Sequence, residues 1–165
     1  MKTILTFLLT AATLFTIHAQ DDEFKRDGKF LVETGYNIVG GFSSGSGMSL
    51  LLDFDGDALT TIGFDGGKFI SENFAIKTNI SILNGGGLSL TTIAAGGKYY
   101  AGGNVPIQLL AGITTASGES FFNGKFSVGY GIRLADNINF EPSATFLILQ
   151  DSGAVGMDMT FSMFL

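Results

Sequence analysis

The chain has no cysteine, no tryptophan, one histidine and two prolines among 165 residues. The lack of cysteine excludes a disulfide scaffold, thiolate zinc sites and cysteine nucleophiles. Charge is also scarce, at 15% of residues, whereas ordinary soluble domains carry about 25%. Alongside 45% hydrophobic residues, that scarcity excludes a disordered tail. The net charge of −6 offers no basic surface for phosphate, which excludes nucleic acid as a partner. Glycine is in excess, at 24 residues, about twice the usual share. The length fits one domain.

Residues 1–19 read as a cleaved signal peptide. Lys2 supplies the positive start, Ile4 to Ile17 is an uncharged stretch of 14 residues, and Ala19 is a small residue before Gln20. A transmembrane anchor needs about 20 apolar residues, so the stretch is too short to span. Removing the leader leaves 20–165, with eight Lys and Arg against fifteen Asp and Glu, a net charge of −7. It also removes His18, the one histidine. Ser-His-Asp and Cys-His chemistry and any His- or Cys-ligated metal are thereby excluded, and the expectation is a non-enzyme without a cofactor. Residues 20–28, with charged Asp21–Asp27, read as a solvated lead-in.

Beyond the leader the recurring pattern is period-2 alternation, which marks strands with two unlike faces. In 74–82, Phe74, Ile76, Thr78, Ile80 and Ile82 alternate with Ala75, Lys77, Asn79 and Ser81. Turn signals divide the chain into eight predicted strands at about 29–40, 58–70, 73–83, 88–100, 104–115, 121–134, 137–149 and 154–165. Met48–Phe54 reads as an outer part of the second strand or as a loop. A ninth strand is disfavoured, because an even count returns both ends to one side. A hairpin-length repeat is visible in Gly66-Gly67-Lys68-Phe69 before Asn73, Gly96-Gly97-Lys98-Tyr99 before Asn104, and Gly129–Ile132 before Asn137. Such a repeat fits an up-and-down meander.

A soluble barrel buries its apolar face, whereas a membrane barrel turns it outward to lipid. Three features favour the second. With the apolar face outward, the inner face holds Glu33, Asp65, Lys77, Lys98, Lys125, Arg133, Glu141 and Asp158, four acids and four bases. That is a balance suited to a narrow lumen, where an unpaired charge is costly. Gly63, Gly67, Gly112, Gly129, Gly131 and Gly156 point inward or sit at crossings, which helps a narrow barrel close. Phe30, Phe64, Phe74, Tyr99, Phe122 and Phe140 fall near strand ends, where interfacial girdles belong. The competing reading is a secreted soluble barrel of lipocalin type with an apolar ligand.

The leader, the opening Gly28-Lys29-Phe30-Leu31-Val32-Glu33-Thr34-Gly35, the Ser71-Glu72-Asn73 and Ala135-Asp136-Asn137 hairpins and the alternating Met157–Leu165 together resemble a known family. It is the small eight-stranded outer-membrane β-barrels of OmpA/OmpX type, in single-domain form, over 29–165. The resemblance implies an all-β, antiparallel, up-and-down transmembrane barrel. It also implies contact with outer-membrane lipid, insertion by the outer-membrane assembly machinery, and a monomer. That machinery reads a terminal strand ending in an aromatic. Here Phe164 stands one place before the end.

Four chemistries can be weighed. Asp53, Asp55 and Asp57 could offer carboxylates to Ca²⁺, but position 12 of the loop is Phe64 where an EF-hand has Glu. A solvated acidic loop is the plainer reading. The luminal charges read as a structural ion network, since eight strands enclose an interior just wide enough for side chains. A narrow ion channel is the alternative. Surface adhesion through loop 40–57 is a third, and the absence of histidine from 20–165 counts against lipid-modifying enzymes.

Overall fold

Alternation dictates this architecture. A strand whose odd and even residues differ in polarity must have a different medium on each side. The computed structural model describes residues 25–38, 47–52, 58–85, 87–149 and 152–165. The leader, residues 20–24 and Asp53, Asp55 and Asp57 lie outside the described residues. Ten strand segments form, with no helix among the described residues. They are β1 (Phe30–Ile38), β2 (Gly47–Leu52), β3 (Ala58–Ser71), β4 (Phe74–Gly85), β5 (Leu88–Ala101), β6 (Val105–Ala116), β7 (Glu119–Gly129), β8 (Ile132–Ala135), β9 (Ile138–Leu149) and β10 (Ser152–Phe164).

Every pairing is antiparallel. The order is β1-β10-β9-β7-β6-β5-β4-β3, and β1 pairs back onto β3, closing an eight-stranded up-and-down barrel. The seam aligns Leu31 with Phe164 on one side and Glu33 with Asp65 on the other. Phe30 and Leu165 exchange both backbone hydrogen bonds, at 2.8 and 2.9 Å, so the first and last strands meet at one end.

Two segments exceed eight. β8 prolongs β7 beyond a break at Tyr130–Gly131. The break lies opposite Pro142, which has no N–H to donate. Pro142 instead accepts from Tyr130 N at 3.0 Å, and Gly131 N turns to the Asn104 carbonyl at 2.7 Å. The other segment corrects the expectation for Met48–Phe54. Residues 47–52 are neither a loop nor a prolongation of the second strand. They form β2, antiparallel to β3, and its pairing with Gly63 starts just above the point where β1's pairing with Asp65 stops.

The hairpin repeat has a structural meaning. Lys29, Asn73, Asn104 and Asn137 each offer a carbonyl to the neighbouring hairpin, taking the amides of Phe69, Tyr100, Gly131 and Phe164. Three of those four donors are inward-facing aromatics. Phe69, Tyr100 and Phe164 meet with ring centroids 5.8 to 6.1 Å apart, and with Leu31 and Ala75 they form the apolar core at the end where β1 begins and β10 finishes.

The outer face is apolar around the whole barrel. Ile62, Phe64, Ile76, Ile93, Leu109, Ile113, Phe126, Phe146, Met157 and Phe161 are all exposed. Phe30, Phe74, Tyr99 and Phe140 sit near the terminal end and Phe122 toward the other, whereas Phe64 lies in the middle of β3 and belongs to no girdle. Phe164 points inward and is buried, so the last outward residue is Leu165.

Candidate functional site

The inward-facing residues put charge where a soluble protein keeps oil. Glu33, Asp65, Lys77, Lys98, Glu141 and Asp158 are all buried. Lys77, on β4, is fully buried and sits opposite Gly67 of β3 and Gly96 of β5. Those glycines are required. A Cβ on Gly67 would overlap the Ile76 carbonyl, and one on Gly96 the Leu109 carbonyl. Their absent side chains let β3 approach the backbone of β4, and β5 that of β6, closely.

Lys77 pairs with Glu33, lies 3.0 Å from Asp65 Oδ1, and donates to Gln108 Oε1 at 2.5 Å. Lys98 pairs with both Glu33 and Glu141. Ser162 Oγ donates to Glu33 at 2.8 Å, and Tyr100 OH donates to Glu141 at 2.9 Å. Glu33 is therefore the hub, with a lysine on each carboxylate oxygen. Burying one such ion costs several kcal/mol, and the cost is recovered only when geometry and hydrogen bonds are complete. Here β1, β3, β4, β5, β6, β9 and β10 all contribute a partner.

A second, smaller pair lies further from the termini. Lys125 Nζ approaches Asp158 Oδ2 at 2.7 Å, and Thr145 Oγ1 donates to the same oxygen at 2.7 Å. Beyond it, Asn123 donates to Thr114 at 2.8 Å, and Thr114 bonds Thr92 at 2.8 Å.

Seven of the eight residues read from sequence as luminal charges thus enter two connected groups. Arg133 does not. It follows the break after β7, is exposed, and pairs with Asp136 of the adjoining turn at 3.1 Å. Sequence reasoning missed Gln108, Tyr100 and Ser162 as partners, although alternation places all three inward. It also missed Arg26. The lead-in is not simply solvated spacer: Arg26 is 4% exposed and folds back under the barrel, its guanidinium 4.2 Å from the Tyr100 ring centroid. Burial, and to a smaller extent the like charge of Arg133, lower its pKa from the ordinary value, while Tyr100 and Glu141 act in the opposite direction. Among the described residues no cluster of three or more His, Cys, Asp and Glu is placed to hold a metal.

No protein-family model and no curated protein sequence matches this chain. Solved structures do. OprG of Pseudomonas aeruginosa superposes with a TM-score of 0.56 at 11% identity, over 88% of this chain and 99% of that one. The fold is that of the small outer-membrane β-barrels. Ail of Yersinia pestis in a phospholipid bilayer nanodisc gives 0.53 at 11% identity, over 84% of this chain and 100% of that one. The N-terminal β-barrel domain of Pseudomonas aeruginosa OprF gives 0.51 at 10% identity, over 84% and 98%. At such identities the likeness is one of fold alone.

Proposed function

We propose that this protein is an integral outer-membrane β-barrel with a structural role in the envelope, its lumen sealed by paired charges and without catalytic activity. The observation that carries the reading is the inversion of polarity: large apolar side chains cover the outside while lysines and carboxylates fill the inside. In water, that arrangement would expose the belt and bury the ions, with both terms unfavourable. In a bilayer the belt is solvated by lipid, and β1, paired with both β10 and β3, closes the ladder where the first and last strands meet. The same inversion disfavours a soluble barrel around an apolar ligand, because the interior offers ions. It disfavours a conducting pore too, because Lys77 and Lys98 bridge the lumen from wall to wall. The non-enzymatic reading rests on the lack of Cys and His in 20–165.

The test is to fold residues 20–165 into detergent and into lipid vesicles. Unboiled samples should migrate faster than boiled ones on a denaturing gel, and the native protein should fractionate with the outer membrane. Planar bilayers containing the protein should show no steady unitary current. A monodisperse protein in the absence of detergent would overturn the membrane reading, and a reproducible current step would overturn the sealed lumen.

A further inference from the structure

Arg26 occupies a built receptor. Its neighbours Lys25 and Asp27 are exposed, yet Arg26 is buried to the level of the core. The chain turns back at Gly28, whose φ of 75° favours glycine, and is pinned by Gly28 N to Phe69 O at 3.3 Å and Lys29 N to Arg26 O at 3.0 Å. The guanidinium then lies over the Tyr100 ring at 4.2 Å, reaches the Phe164 ring at 5.3 Å, and donates through Nη2 to the Gly103 carbonyl at 2.8 Å. These three contacts come from β5, β10 and the turn between β5 and β6.

The charge count points the same way. The main luminal group holds three carboxylates, Glu33, Asp65 and Glu141, against two lysines, Lys77 and Lys98. Arg26 is the third cation, and Tyr100, the ring beneath it, donates to Glu141. The aromatic wall, the carbonyl and the surplus negative charge behind the wall all attract a cation, against the weaker repulsion of the exposed Arg133.

We infer that the barrel end where β1 begins and β10 finishes is a guanidinium-binding cage, walled by Tyr100 and Phe164, with the Gly103 carbonyl as acceptor and Glu141 as balancing charge, and that Arg26 fills it in cis. The ligand class is a guanidinium, here that of this chain's own arginine. A guanidinium suits the cage better than an ammonium does. It is planar, weakly hydrated and stacks on a ring face while its edge donates. The inference does not depend on which membrane, or which side of one, the barrel occupies.

Chemical rescue tests it in detergent-folded protein. Arg26→Ala should lower the thermal unfolding midpoint on the order of 5 °C. Methylguanidinium should then restore it saturably, leave the wild type unmoved, and outperform methylammonium at equal ionic strength. Arg26→Lys should recover less than half of the loss. An unchanged midpoint in Arg26→Ala, or equal action of the two cations, would overturn the cage. If Arg26→Ala fails to fold, the wild type decides. Stacking on Tyr100 should move the Arg26 side-chain protons upfield in the NMR spectrum, and shifts like those of free arginine would overturn the assignment.

Discussion

Replacing Lys77 with methionine keeps an unbranched side chain, one atom shorter, and removes its charge. Asp65 then loses the cation at 3.0 Å, Gln108 loses its donor, and Glu33 keeps one lysine of two. All of this happens at a fully buried position, so water cannot take the place of the ammonium. Breaking a buried pair by removing one partner costs about 3–5 kcal/mol. In a chain of this size each kcal/mol moves the thermal midpoint by about 2–4 °C, so the expected fall is roughly 6–20 °C. Denaturant titration in detergent, followed by the gel shift between folded and unfolded bands, reads the same loss. Asp65→Asn in the Lys77→Met background removes the orphaned charge. The double variant should lose less than the sum of the single ones, with a coupling of about 1–3 kcal/mol. A Lys77→Met barrel within about 0.5 kcal/mol of wild type, or a strictly additive cycle, would refute the view that this pairing holds the lumen together.

Gly96→Ala should cost about 1–3 kcal/mol or more in the same titration, because its Cβ would overlap the backbone of β6. Gly97→Ala, one residue on and facing outward, should be milder, since its Cβ meets the Phe74 ring, a half-exposed side chain that can turn away. Leu109→Arg places a charge on the outer belt, where Leu109 is 62% exposed. Folding into vesicles should become less favourable by about 2–4 kcal/mol if that face meets the bilayer midplane, while a water-facing site would tolerate the change within about 0.5 kcal/mol.

The strand faces were legible because one observation settles them locally. In β4 the strict alternation of exposed and buried residues follows the sequence pattern residue by residue, so Lys77 could be assigned inward from its parity with Ala75 and Asn79. The glycine-glycine-lysine repeat was less trustworthy. Lys68 and Lys98 occupy the same place in it, yet Lys98 is buried in the network and Lys68 is exposed on the outer face, 5.5 Å from the Phe30 ring. In β3 a bulge between Phe69 and Ser71 moves the lysine one ladder position toward the turn, so that Lys68 lies opposite the outward Ile76 whereas Lys98 lies opposite the inward Gln108, and one residue reverses a strand's faces. Arg133 failed for a related reason: its parity is inward, but the ladder has already broken at Tyr130–Gly131. Arg26 belongs to no periodic segment, so no pattern could place it. Its position follows from tertiary closure, in the turn at Gly28 and the ring of Tyr100. The position of β2 likewise follows from how β1 and β3 part company at the seam.

The distribution of ions among the strands also orders events in time. The central hairpin of β4 and β5 carries Lys77 and Lys98 and no acid within the barrel wall, whereas the acids come from β1, β3 and β9. Taken alone that hairpin is a dication, and carrying a bare lysine to the bilayer centre costs about 2.5–3.5 kcal/mol. Entry of that hairpin by itself is therefore disfavoured. Asp65 of the neighbouring β3 supplies one counter-charge to Lys77, but Glu33, which takes both lysines, is in place only when β1 closes the barrel against β3 and β10.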